Sequence, residues 1–205
     1  MDEPEQTPEP VSLTMATLTG DEIKAVLGDL ARLRIEVFRD WPYLYDGSLD
    51  YEEQYLSTFA AAPGAVCIVA RSGDRIVGAS TGSPMEEADE EFQRPYEEAG
   101  YDIKEIFYCG ESVLLPQYRG GGAGHAFFDG REAHARKLGG FKYATFCRVL
   151  RSDFHPLKPA DYRPLDGFWR KRGYRPTDLE ARYAWKDIDQ KGETVKHLQF
   201  WLKEL

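Results

Sequence analysis

Leu114-Leu115-Pro116-Gln117-Tyr118-Arg119-Gly120-Gly121-Gly122-Ala123-Gly124 joins an apolar run, Ile106 to Leu115, to a segment with helical spacing from about Gly122 to Leu138. The first run reads as a buried strand and the second as a helix, so the glycines fall on a strand-to-helix turn. Four of the six residues from Arg119 to Gly124 are glycine, and a backbone without Cβ atoms lets a ligand approach its amides closely. At a helix start those amides lack intrahelical partners, and the helix dipole adds positive potential. Together they form an anion site. Two readings stand at this level: a phosphate-binding turn, or a turn whose glycines supply flexibility alone. Both common nucleotide signatures are absent, since no Gly-Lys-Ser/Thr follows and the spacing does not fit G-x-G-x-x-G. The first absence, with the lack of a Mg²⁺ carboxylate motif, argues against a nucleotide-dependent kinase.

Outward from the turn, the chain alternates strand and helix patterns. Val11 to Leu18 alternates with period two, as a first strand does, and Ile23, Val26, Leu27, Leu30, Leu33 and Val37 recur at helical spacing. A second helix spans about Asp50 to Ala61 and ends at Pro63-Gly64. Ala65–Arg71 and Ile76–Ser83, around Ser72-Gly73-Asp74-Arg75, predict a hairpin. After the glycine turn, a strand over about 141–149, a helix over about 165–172 and a strand over about 182–188 complete a mixed α/β series. We divide the chain into a solvated, proline-rich acidic tail (1–10), a main domain (11–190) with a helical insertion at 84–104, and a C-terminal segment (191–205). Val195, Leu198, Trp201, Leu202 and Leu205 predict that the last segment is an amphipathic helix, docked on the body or on a second subunit of a homodimer.

With its flanks, the run from Leu114 to Gly124 resembles the acetyl-CoA signature of the GNAT (GCN5-related N-acetyltransferase) superfamily, Q/R-x-x-G-x-G/A, Arg119, Gly122 and Gly124 filling the key positions. The element order from about Val11 to Ile188 is similar as well. The resemblance implies an α/β (α+β) GNAT acyl-CoA N-acyltransferase fold, a mixed central sheet flanked by helices with strands splayed around CoA. It implies acetyl-CoA as the acyl donor, with Arg119, Gly120, Gly121, Gly122, Ala123 and Gly124 at the pyrophosphate. The main chain of Val113, Leu114 and Leu115 would pair with the pantetheine arm as an added strand. The implied reaction is transfer of an acetyl group to a primary amine. A small-molecule acceptor is the first reading and a protein amino group the second; a non-catalytic acyl-CoA sensor is the reading from another class.

Acyl transfer to an amine needs a lone pair, and an ammonium of reference pKa about 10.4 has none. Glu111 is the candidate base, since strand alternation puts it on the same face as Val113 and Leu115; a structural carboxylate paired with an arginine is the alternative. Relatives often carry a tyrosine in a Y-x-x-x-G-F/Y pattern that serves the leaving thiolate. In Phe168-Trp169-Arg170-Lys171-Arg172-Gly173-Tyr174 that position is Trp169, whose indole is not a useful acid. Tyr162 is a substitute, or none is needed, because a thiol of pKa about 8.5 leaves readily. Trp41, Tyr43, Tyr45 and Asp46 lie between the first two helices, where relatives shape the acceptor pocket. Aromatic faces with a carboxylate suit an organic cation, though the same residues also read as a packed plug.

His125, next to the glycines, His134 and His155 read as surface, interior and turn residues, and Cys147 as a core thiol. The acidic stretch Glu86, Glu87, Asp89, Glu90 and Glu91 reads as a solvated face. A net charge of -9 argues against nucleic acid and anionic membrane as partners. The three widely spaced cysteines, without C-x-x-C or H-x-x-x-H spacing, argue against a disulfide framework or a metal. With no signal peptide pattern and no apolar stretch of membrane length, a cytoplasmic location is expected.

Overall fold

The computed structural model describes residues 12–205; the acidic tail and Val11 lie outside the described residues. The strands are β1 (Thr14–Thr19), β2 (Val66–Ser72), β3 (Arg75–Pro84), β4 (Ile106–Tyr108), β5 (Ser112–Leu114), β6 (Tyr143–Val149), β7 (Arg175–Lys186) and β8 (Glu193–Glu204). The helices are α1 (Asp21–Lys24), α2 (Leu27–Phe38), α3 (Leu49–Ala61), α4 (Glu90–Glu98), α5 (Ala123–Leu138) and α6 (Asp166–Lys171). One mixed sheet runs β1-β2-β3-β4-β6-β8-β7, with β5 attached to β3. All ladders are antiparallel except β4 with β6.

The predicted strand over 106–115 is two strands. Cys109 N donates to Thr145 O, Gly110 N to Thr81 O and Glu111 N to the Thr81 hydroxyl, so the chain leaves β6 and rejoins β3 through an irregular stretch. Gly110 is needed there, because a Cβ would stand 2.8 Å from Thr81 Oγ1. Tyr108↔Thr145 is the last β4–β6 pair, and beyond it β5 pairs only with β3 while β6 continues along β8. The sheet therefore opens between the outer edge of β5 and the C-terminal half of β6.

Alternation fixes which helix covers which face. Position 78 packs on Leu114 and on Phe127 of α5, whereas Glu111 reaches Arg34 of α2. Helix α5 and the first helices thus cover opposite faces, with Val66, Val69, Val77, Val113 and Phe127 in the core between. Helix α5 sits close to β2, since a Cβ on Gly130 would meet Ile68 Cδ1 at 2.7 Å. The insertion is α4 with short 3-10 turns before and after it, and Phe92 and Tyr96 pack on Phe200.

The C-terminal segment is a strand, not a helix, and it lies inside the sheet of its own chain. Of its buried residues, Lys196, Leu198 and Phe200 follow period two and Trp201 departs from it; the polar Lys196 hides the pattern from a reading by hydrophobicity. Lys196 is buried because Nζ donates to Trp185 O and Thr194 O and lies 3.2 Å from Asp187. Pairing on both sides, to β6 and β7, satisfies its backbone inside the sheet. Val195, assigned to the apolar face of the helix, is 58% exposed.

Candidate active site

The glycine turn ends in an open helix start. Gly122, at φ +89°, is the N-cap of α5, and no side chain caps the helix or places acid in its first turn. Added Cβ atoms at Gly120, Gly121 and Gly122 would meet nothing within 4 Å. The cradle is therefore open to solvent at all three glycines. The Arg119 side chain folds back so that Nε donates to Leu114 O at 3.1 Å, bracing the turn against the end of β5. The open helix start, the glycine cradle and the outer edge of β5, which no strand pairs, suit a phosphate group followed by an extended arm.

On the opposite face, next to Glu111, is a cleft of about 310 Å³. Glu111, Tyr43, Tyr45 and Asp46 all line it, and Trp41 does not. Trp41 instead packs on His155 and Tyr162, at ring-centroid distances of 5.2 and 6.1 Å. Asp46 is engaged by Lys186 at 2.7 Å and by Arg39 at 3.7 Å, so its carboxylate is not a free cation seat. Trp169 is packed against Phe146 and Trp201 at 5.0 and 5.1 Å, as a core aromatic. His134 Nε2 lies 3.0 Å from Gly64 O, and His125 sits edge-on to Phe168.

Sequence reasoning missed the groups that organise this cleft. Arg34, from α2, binds Glu111 at 2.5 Å through Nη1 and Glu52 through Nε. Glu52 is fully buried and its Oε1 has no hydrogen-bond partner. Burial alone would lower the Arg34 pKa, but Glu111, Tyr55 and Glu52 override it and hold the guanidinium charged. Arg34 also lies over the Tyr55 ring, 4.6 Å from its centroid. Tyr108, at the end of β4, borders the same cleft with Cys147 of β6. Burial pushes both the Tyr108 phenol and the Cys147 thiol well above their ordinary values, the latter against a hydrogen bond from Tyr108. A thiol held protonated is a poor nucleophile. Tyr108 shares the Glu111 segment, but its role was invisible until β6 was placed beside it.

The loop from Trp41 to Asp46 is held by Arg151, whose Nε donates to Pro42 O at 2.8 Å and Nη2 to Tyr43 O at 2.7 Å. Its other bonds go to Asp187, at 2.6 and 3.0 Å, and Trp185 Nε1 adds a bond to Tyr43 O. The fold thus adds this loop to the end of β7 as a bridge, Tyr45 opposite Asp187. Arg151→Ala is expected to lower stability by about 2–3 kcal/mol, less than full loss of a buried pair because Lys196 still faces Asp187. Urea melts of the two proteins measure it, and an unchanged midpoint would refute this role for Arg151.

No family profile and no curated relative matches the chain by sequence. Solved structures do match in shape. The ribosomal-protein-alanine N-acetyltransferase from Brucella melitensis superposes with a TM-score of 0.60 at 14% identity, covering 94% of this chain and 99% of that one. An acetyltransferase of the GNAT family from Streptococcus pneumoniae gives 0.55 at 11%, covering 95% and 100%. A Salmonella typhimurium protein solved with its cofactor acetyl-CoA gives 0.55 at 10%, covering 94% of each chain.

Proposed function

Given that the chain has the GNAT acyltransferase fold, we propose that it is an N-acetyltransferase moving an acetyl group from acetyl-CoA to a primary amine of a small molecule by direct attack. The observation that carries this reading is a continuity: the stretch that borders the aromatic cleft at Gly110 and Glu111 runs on through β5 into the open glycine turn. One chain segment therefore faces the donor on one side and the acceptor on the other.

In this proposal the amides of Gly120 to Gly124 hold the pyrophosphate, and the main chain of Val113, Leu114 and Leu115 pairs with the pantetheine arm. Acetyl-CoA supplies the thioester carbonyl. Glu111 receives the proton of the incoming ammonium, directly or through one water, so that the free amine forms the C–N bond as the C–S bond breaks. Arg34 fixes the Glu111 side chain in place. With Trp169 packed against the core, the neutral phenol of Tyr108, at the last β4–β6 pair, is the proton donor for the departing thiolate.

The cleft volume supports a small acceptor: about 310 Å³ lies at the low end of the roughly 300–1,000 Å³ of small-molecule sites. Among the described residues no helix is long and apolar enough to cross a membrane, and a cytoplasmic location belongs to this proposal. Thiol release from acetyl-CoA with a panel of amines, beside calorimetric CoA binding, tests the reading. Failure to bind CoA would sink it. Binding without thiol release on any amine would favour the acyl-CoA sensor, a reading that the core position of Trp169 supports.

Gly122→Ala gives a separate check of the donor half. The backbone at φ +89° disfavours any Cβ by about 1–2 kcal/mol, while open space around it removes any clash. CoA affinity is expected to fall about tenfold with stability down by about 1 kcal/mol as the first-turn amides lose their aim. Unchanged affinity by calorimetry would argue that the phosphate sits elsewhere.

A further inference from the structure

The cleft carries more negative charge than its own cations neutralise. Asp46, Asp89, Glu111 and Glu193 line it against the lining cations Arg34 and Lys186, with Glu52 behind Arg34 and Arg39 behind Asp46. The pairing is uneven from end to end. At the inner end one guanidinium serves two carboxylates, Glu52 and Glu111. In the middle Lys186 is taken up by Asp46. Among the described residues, no cation forms an ion pair with Asp89 or Glu193.

Asp89 is turned toward this mouth. It is the N-cap residue of α4, yet its carboxylate makes no capping bond to the first-turn amides. It accepts instead from the Tyr183 hydroxyl at 3.0 Å, and that hydroxyl lies 3.3 Å from the Tyr51 hydroxyl. A Tyr51–Tyr183–Asp89 chain therefore spans from α3 to α4 across the opening. Outside it a shallow groove continues with the same sign, Asp89, Glu90 and Glu91 against Arg182. Tyr55 stands in the field of both negative ends: burial raises its phenol, and the charges of Glu111 and Asp89 add to the rise. Between the ends the walls are Tyr55, Phe92, Tyr183 and Trp185, flat surfaces suited to alkyl chain and to cations over ring faces.

We propose that the acceptor is an elongated dication of the diamine class, with its reacting amine at Glu111 and a second ammonium held at the mouth by Asp89 and Glu193. This assignment rests on the acetyltransferase reading and narrows its substrate. A monoamine answers the negative charge at one end only, and a neutral acceptor answers neither. The acid-rich stretch 86–91, read from sequence as a solvated face, thereby contributes one residue, Asp89, to selection of the substrate.

The test compares cadaverine and putrescine with pentylamine, which has the five-carbon chain of cadaverine without its second ammonium. Thiol release from acetyl-CoA is followed for the native protein and for the double variant Asp89→Asn, Glu193→Gln. The better of the two dications is expected to exceed pentylamine at least about tenfold in kcat/KM, the factor that one well-placed charge contact supplies. In the double variant the ratio is expected to fall below about threefold. Equal kcat/KM for dications and pentylamine in the native protein would overturn the inference and leave the acetyltransferase reading standing. A ratio that survives in the double variant would overturn the placement of the second ammonium at the mouth. No thiol release with any amine would remove both the inference and the reading beneath it.

Discussion

Arg34→Ala is expected to destabilise the protein by about 3–5 kcal/mol, because removing one member of a buried ion network leaves the rest as uncompensated charge. Glu52 is fully buried and Glu111 is 8% exposed, and both bind the one guanidinium. Loss of the Arg34 guanidinium over Tyr55 and Phe38 adds the loss of cation–π contacts to the charge term. Urea unfolding separates the two contributions. The double variant Arg34→Met, Glu52→Gln removes one carboxylate with the guanidinium and keeps apolar volume, and is expected to recover at least about half of the loss. If it is as unstable as Arg34→Ala, stranded charge is not the cause, and the network is held by packing instead.

The second large effect falls on turnover. Glu111→Gln is expected to lower kcat/KM for the amine by about 10²–10³, the range of a positioned general base. The amide keeps the shape of the side chain and leaves Arg34 paired with Glu52, so the fold should survive. CoA affinity should also survive, since the proposed donor contacts come from main chain further along the segment. Steady-state kinetics with calorimetry distinguish the cases. A loss confined to KM would make Glu111 a seat for the ammonium and not the group that takes its proton, and retention of kcat/KM within about threefold would remove it from the chemistry.

These two substitutions act on one ion pair whose halves differ in how legible they were. Glu111 stood out because it shares a strand pattern with Val113 and Leu115, just before the glycine turn. Its alternative reading, a carboxylate tied to an arginine, also describes the molecule, since Arg34 binds it. Arg34 carried no such signal. On α2 it alternates with other charged residues at positions any solvated helix face shows, and only packing of α2 on β5 turns it inward. Tyr55, Tyr108, Tyr183 and Trp185 were hidden for the same reason: each is an ordinary aromatic in its own element, and the cleft exists only where seven elements meet.

The C-terminal segment shows the limit from the other side. A thirteen-residue stretch with Val195, Leu198, Trp201, Leu202 and Leu205 satisfies a helical template, and in isolation nothing contradicts it. Its β-branched and aromatic residues are equally at home in a strand, and the choice is made by open edges on β6 and β7 that local pattern cannot see. Burial of Lys196 depends on Asp187 and the carbonyls of Thr194 and Trp185, partners that only the β7–β8 ladder assembles.

What the sequence determined by itself is the glycine turn from Arg119 to Gly124, the hairpin of β2 and β3 and the helix that follows the turn. Each is set by residues near one another in the chain, through backbone freedom, turn chemistry and period. Tertiary structure alone decided the opening between β5 and β6, the strand identity of the C-terminus, the Arg34 bridge between two carboxylates and the acidic mouth at Asp89. These depend on which distant segments become neighbours, and electrostatic and ladder energies are defined only once the neighbours are in place.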